Sequence, residues 1–339
     1  MPLYLYIVRR LLLMIPLLIG ITLLSFVIAH AIPSDPLVAN LGQHGMSDPQ
    51  TVAAFKAKWG LDQPVTTQYL VYLRNLLSGD LGTSIRSHRP ILDDLKSYLP
   101  ATIELATFAT VFGVLFGLLL GLLASVWRNS IIDFASRFVS LIGISAPVFW
   151  LALITLAVFY VQLRWVPGLG RLDAGLTRPP TVTGFLTVDS LLAGDWNAFT
   201  NALGHLILPG LVLGSYSMGL ITRMTRSSML ETLTQDYVRT ARGKGLGERV
   251  IVLRHAFSNA VIPVITVIGI SYGTLLSGAV LTETIFAWPG IGRYAYSAST
   301  TLDFPAIMGV SLTIALIFTI INLLTDVIYY FADPRIRAQ

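Results

Sequence analysis

Long hydrophobic runs alternate with shorter polar ones along this chain. Stretches free of Asp, Glu, Lys and Arg extend over Leu11–Ser34 (24 residues), Leu105–Trp127 (23), Phe138–Leu163 (26), Trp196–Thr222 (27), His255–Thr282 (28) and Phe304–Thr325 (22). Each exceeds the roughly 20 residues that a helix rising about 1.5 Å per residue needs to cross the hydrocarbon of a bilayer. The pattern predicts an all-α integral membrane protein with six transmembrane helices. Between the first two runs, Pro33–Tyr98 is polar and nearly balanced, with six basic and six acidic residues. Ser47 is placed to cap a helix that starts near Pro49, carries Val52, Phe55 and Trp59 on one face and stops at Gly60. Tyr69, Leu70, Leu73, Leu76 and Leu77 then predict a second amphipathic piece before the Gly79-Asp80 turn. The pair reads as two short helices at the membrane surface, with a docking surface for an extracytoplasmic partner as the alternative.

Composition agrees with the bilayer as solvent: 54% of residues are hydrophobic, 12% charged, and the mean hydropathy is +0.71. The absence of cysteine excludes disulfides, thiolate metal sites and a Cys nucleophile. A net charge of +5 would suit nucleic acid, but its distribution reads as orientation. With the N-terminus inside, the inner segments Met1–Arg10, Arg128–Arg137, Arg223–Arg254 and Asp326–Gln339 hold 2, 2, 7 and 2 Lys or Arg, against 6, 3 and 1 in outer loops with far more residues, the first long enough to escape the rule. The positive-inside rule then places both termini in the cytoplasm. Trp127 and Trp165 fall where interfacial anchors belong. Arg9, Arg10 and the Ala29-His30-Ala31 triplet imitate a signal peptide, but the apolar run is longer than the about 7–15 residues of such a region.

Inside the second run, Gly113, Gly117 and Gly121 repeat at intervals of four, a small-residue stripe that lets a neighbouring helix approach to backbone contact. Pro147, Pro209 and Pro263 interrupt the third, fourth and fifth runs and predict kinks. Arg164–Asn201, rich in Gly, Pro and Thr, reads as an irregular outer loop. In "TETIFAWPGIGR", Thr282–Arg293, Trp288-Pro289-Gly290 forces a turn at the outer surface, either closing the mouth of a pathway or connecting two helices. Glu104, His205 and Asn322 are polar residues at membrane depth, where they face water or other helices. Glu104 is the candidate for attracting a cationic group, and Glu283 and Trp288 join Glu104 and His205 as candidate pathway or gate residues. No metal-ligand cluster is visible.

The most basic part of the chain is "DYVRTARGKGLGERVIVLRHAFSNAVIP", Asp236–Pro263. Helix formers over Asp236–Arg242 are followed by Gly243, Gly245 and Gly247, which prevent simple continuation. Helical patterning resumes at Glu248, with Val250, Leu253 and Phe257 along one face. Ala241, Gly243 and Gly245 strip bulk from the elbow, so its tip can enter a cleft in another protein while Arg239, Arg242 and Lys244 meet acidic groups. Topology alone explains the cations but not the glycines. Lipid headgroups would favour contiguous charge, and nucleic acid would favour interleaved aromatics.

These residues also resemble a known family. "RTARGKG" followed by "HAFSNAVIP" is similar to the coupling loop of bacterial ABC importer permeases of the dipeptide, oligopeptide and nickel branch. Against the general family pattern, Glu-Ala-Ala, three residues, Gly, nine residues, Ile-x-Leu-Pro, only Ala241 and Gly245 match, so Arg239 does not inherit the role of the family's Glu. "RRLLLMIPLLIGITLLSFVIAHAIPSDP", "GDLGTSI" at Gly79–Ile85, "TETIFAWPGIGR" and the terminal "DPRIR" resemble the first permease subunit of that branch. The resemblance implies a type I ABC importer permease core over 98–329, after an N-terminal helix over 1–34 and an extracytoplasmic segment over 35–97 and before a tail over 330–339. It implies that Asp236, Tyr237, Arg239, Thr240, Ala241, Arg242, Lys244, Gly245, His255 and Asn259, within a loop of about 223–259, engage an ATPase. It further implies import across the bacterial inner membrane with a second homologous permease, two ATP-binding subunits and an extracytoplasmic substrate-binding protein. Peptides are the expected cargo, with glutathione, chelated nickel or a sugar-phosphate conjugate as alternatives. No Walker A loop, His-Glu-x-x-His or Gly-x-Ser-x-Gly is present, so ATP and Mg are expected on partner subunits and no catalysis or cofactor on this chain. A membrane scaffold or an intramembrane enzyme is the different-class alternative.

Overall fold

A computed structural model describes residues 3–31, 37 and 47–332; Ser34 at the end of the first predicted run and the terminal "DPRIR" lie outside them. The described residues are helical, apart from turns, loops and one antiparallel bridge between Thr83 and Pro90. Five helices are long and apolar enough to cross a membrane, containing Ile7–Ile28, Ile91–Val126, Trp196–Leu233, Glu248–Leu276 and Phe304–Phe331. A bent pair makes a sixth candidate span: Ile131–Ser145 and Val148–Gln162 meet at 106°. The single kinked helix expected over Phe138–Leu163 is thus a broken one. Ala146 adopts an extended conformation at ψ 130°, because the ring of Pro147 disfavours the α region for the residue before it.

In chain order the helices are α1 (Leu3–Ala31), α2 (Pro49–Trp59), α3 (Val65–Leu77), α4 (Ile91–Val126), α5 (Ile131–Ser145), α6 (Val148–Thr155), α7 (Leu186–Leu192), α8 (Trp196–Leu233), α9 (Asp236–Gly243), α10 (Glu248–Val250), α11 (Phe257–Leu276), α12 (Val280–Ile285), α13 (Ile291–Thr300) and α14 (Phe304–Ala332). A π-helical turn, Leu156–Gln162, extends α6, and another, Ile251–Ala256, joins α10 to α11. The cap of α2 differs from expectation. Asp48 rather than Ser47 accepts the Gln50 N–H at 3.0 Å, and Gly60 ends the helix in the left-handed region at φ 65°. In α3 the Tyr69 hydroxyl lies 3.0 Å from that of Thr22 and the Tyr69 and Tyr72 rings lean on Phe26 of α1. Leu70 and Leu77, expected on the packed face, point outward. The Ala29-His30-Ala31 triplet belongs to the last turn of α1, where the His30 ring reaches Gln68 at 3.1 Å.

The core is organised around α8, the most deeply buried span. It runs parallel to α4 at backbone contact. A Cβ on Gly113, Gly117 or Gly121 would meet Ser217, Ile221 or Thr225 at 2.9, 2.8 or 2.5 Å. In return, Gly214 of α8 receives Phe112 and the Ala109 carbonyl. Antiparallel α5 packs on another face, with Gly219 against Ser140 and Gly143 against Ser215. Helices α11 and α14 cross at Gly269 and Thr325, and Asn322 is half-buried. Helix α1 leans on α14, where Arg10 and Asp326 pair at 3.0 Å. These directions place the start of α1, the end of α14 and α9 at one end of the bundle, the elbow end. The Trp288-Pro289-Gly290 turn lies at the far end.

Candidate functional site

At the elbow end, α9 sits on the chain that follows it. Val238 and Ala241 bury against Ile251 and Leu233, and Tyr237, His255 and Asn259 converge. The Asn259 amide donates to the Tyr237 hydroxyl at 3.0 Å and to the His255 carbonyl at 3.1 Å, and Tyr237 donates to that carbonyl at 3.3 Å. Ala241 is therefore small for internal packing and does not lie at the exposed tip. The register of the second helix differs as well. Ile251 and Ala256 are buried while Val250 and Leu253 are exposed, because the wider π turn rotates side chains away from a 3.6-residue period. Of the three elbow glycines, only Gly245 needs to be glycine, at φ 78°. Gly243 ends α9, and Gly247 precedes α10 at φ −65°.

Two cations of the elbow, Arg239 and Arg242, have partners of their own. Arg242 donates to Glu248 at 2.8 Å across the turn, which raises the pKa of its guanidinium. Arg239 lies 3.4 Å from Asp236 on an exposed surface, and Thr240 bonds the Asp236 carbonyl at 2.9 Å. Lys244 is exposed. A Cβ on Gly243, Gly245 or Gly247 would meet nothing within 4 Å, so the tip is open. One step inward, Asp133 at the start of α5 is buried and accepts from Arg226 of α8 at 2.7 and 2.9 Å, a fork that ties two spans together. It also accepts from the Asn129 N–H at 3.0 Å. Sequence reasoning missed this pair; the signal was Asp133 standing as the lone acid among Arg128–Arg137.

At the far end three of the four gate candidates meet on one turn of α4. The Trp288 indole N–H donates to the Ala101 carbonyl at 2.8 Å. Thr102 donates to Glu283 at 2.8 Å and accepts the Ile291 N–H at 2.7 Å. Glu283 also receives the Arg293 N–H at 2.8 Å. It is fully buried, and burial pushes its carboxyl pKa up despite these bonds. Glu104 accepts both the N–H and the hydroxyl of Thr187, at 2.8 and 2.6 Å, and pairs with Arg171. The carboxylate is thus already neutralised by its own chain. The loop expected to be irregular contains α7, started by Thr183 and Gly184 N–H groups that donate to Asp189 at 2.7 and 3.0 Å. His205 stands apart: its ring nitrogens lie 3.1 Å from the Gly168 carbonyl and 3.2 Å from Asp173.

Neither end gathers three or more His, Cys, Asp or Glu in a metal-holding arrangement among the described residues. The geometry instead joins a closed, hydrogen-bonded far end to an open, basic elbow through continuous spans, the architecture of a polytopic membrane transport component. Residues 113–338 match the family model described as binding-protein-dependent transport system inner membrane component, and residues 3–106 match its N-terminal counterpart. The chain belongs to this family. It is 45% identical over 98% of its length, and 99% of the relative's, to the dipeptide transport system permease protein DppB of Alkalihalophilus pseudofirmus. It is 44% identical to the probable D,D-dipeptide transport system permease protein DdpB of Escherichia coli K12, over 94% of this chain and 93% of that one. The oligopeptide transport system permease protein AppB of Bacillus subtilis is 38% identical over 98% and 99%. Among solved structures, the MetNI methionine ABC transporter in an inward-facing crystal form aligns with 69% of this chain and 94% of its own at a TM-score of 0.49 and 16% identity, too loose a likeness to add to the assignment. Membership makes this a multi-pass inner-membrane ABC transport permease, of a non-catalytic family that works with a substrate-binding protein and ATPase partners.

Proposed function

We propose that the chain forms half of the translocation pathway of a peptide importer. A second, homologous permease supplies the other half, and two ATP-binding subunits, which hold the ATP and Mg, dock at the elbow. The elbow end faces the cytoplasm with both chain termini, and the far end and α2–α3 face the substrate-binding protein. Peptide cargo is supported by the names of the relatives that match over nearly the whole chain. The observation that carries the coupling assignment is the open elbow at Gly245, held between α8 and α11 by the Val238–Ile251 packing and the Tyr237–Asn259 bond. Motion imposed on α9 passes into two spans at once.

Reconstitution tests this reading. With the companion permease, ATPases and binding protein, di- or tripeptide uptake is expected to require ATP and the binding protein. Uptake of another solute with peptides ignored would refute the cargo. A reporter active only outside, fused near Gly243, should stay silent, while fusion near Trp59 should be active; the reverse pattern would refute the orientation.

A further inference from the structure

We propose that Arg171 is the positioning residue that holds the extracytoplasmic end of the core shut, and that outward opening requires its guanidinium to leave Glu104. This deepens the transport reading above and rests on it.

Three segments remote in sequence converge on this one side chain. Its Nη2 donates to Glu104 of α4 and, at 3.1 Å, to the Gly184 carbonyl at the start of the α7 turn. Its guanidinium carbon lies 5.5 Å from the Trp288 ring, within the range of a cation–π contact. Trp288 itself is bonded back to α4 through Ala101. Arg171 therefore binds the second span, the loop before the fourth and the turn before the sixth into one lid.

The attachment is built to release. Arg171 is 7% exposed, yet its Nε has no hydrogen-bond partner among the described residues, and a buried donor without an acceptor favours the hydrated alternative. Glu104 would keep both Thr187 bonds when the guanidinium departs, so the carboxylate stays and the arginine moves. The residue before it, Gly170, has φ 96° and nothing within 4 Å of the place a Cβ would take, while its N–H is held by the Phe286 carbonyl at 2.9 Å, so the arm turns about an anchored point. The Asp133–Arg226 fork at the cytoplasmic end is the contrasting case, with two bonds from one guanidinium to one carboxylate.

The test uses the assembled transporter in lipid nanodiscs. Because the chain has no cysteine, Ser190→Cys places a single near-isosteric thiol on the fully buried side of α7. A membrane-impermeant maleimide then reports opening. Arg171→Gln is expected to raise ATPase activity without binding protein about tenfold, within the usual span of coupling between sites, and to speed labelling of the thiol. The binding-protein concentration for half-maximal stimulation should stay at its wild-type value, because the docking surface is untouched. Arg171→Lys, which retains the cation, should restore most of the dependence on binding protein. If Arg171→Gln prevents assembly, Glu104→Gln, whose carboxamide oxygen still accepts from Thr187, must give the same rise. Faster labelling with wild-type ATPase would reduce Arg171 to a loop support and overturn the proposal, as would no change in either. A wild-type complex insensitive to the binding protein would overturn the transport reading, and the proposal with it. A responsive wild type with unresponsive variants overturns only the role of Arg171.

Discussion

The two ends of the molecule are built on opposite terms. At the far end, Glu104, Glu283, Trp288 and Arg171 are buried and bonded to one another or to a single turn of α4. At the elbow, Arg239 and Arg242 pair with Asp236 and Glu248 on exposed surface, and a Cβ at Gly245 would meet nothing within 4 Å among the described residues. Polar groups out of water must be satisfied internally, so each far-end substitution is felt by the fold. Polar groups in water are nearly neutral to the fold, and at the elbow it is backbone shape that is fixed. The same residue types thus bear on stability at one end and, under the coupling proposed above, on recognition at the other.

The largest effect expected is that of Glu104→Ala, which leaves the Arg171 guanidinium buried without its counter-charge. Truncating one partner of such a pair costs about 3–5 kcal/mol. Unfolding in detergent should show it, and a loss below about 1 kcal/mol would place the pair in water and dissolve the contrast. Gly245→Val comes next, and its effect is on coupling rather than on the fold. A β-branched residue at φ 78° carries local strain of about 1–3 kcal/mol, so stimulated ATPase activity should fall severely in a complex that still assembles. Wild-type stimulation would show that the elbow's shape is immaterial.

Gly243→Ala sharpens the comparison within the elbow. Gly243 closes α9 in open space, so alanine should leave coupling intact and firm the helix by up to about 1 kcal/mol; impaired coupling would mean that a partner needs the missing side chain. Smallest of all should be Arg242→Ala. It removes an exposed pair with Glu248 that water largely screens, and ATPase stimulation should fall by less than about fivefold, the ceiling for a surface ion pair. A larger loss would show that Arg242 exchanges Glu248 for a more buried acid on the ATPase.

The parts of the structure that were legible in sequence are those set by local pattern. Charge-free runs marked the spans, and Gly245 marked the elbow. What the sequence hid depends on contacts between distant positions. Arg171 and Glu104 are 67 residues apart, and nothing local to "GLGRLD" shows that its arginine crosses to α4. Helix α7 was masked by the Gly- and Pro-rich residues around a seven-residue helix. The buried face after the elbow, Ile251 and Ala256, departs from the 3.6-residue period because a π turn spans it. Pro147 predicts a disturbance, but its 106° size goes with long-range packing, α5 on α4 and α8 and α6 on α8 and α12.

Helix α8 runs 38 residues without a break, through Pro209, from Trp196 to Leu233. At 1.5 Å per residue it is a rod of about 57 Å, longer than the hydrocarbon of the membrane. Seen as a beam on a fulcrum, with the glycine contacts to α4 near its middle, a tilt of about 5° would carry each tip sideways by roughly 2.5 Å over that length. That distance is close to a hydrogen-bond length, so a rotation too small to disturb the glycine crossing is large enough to part a contact at the opposite tip.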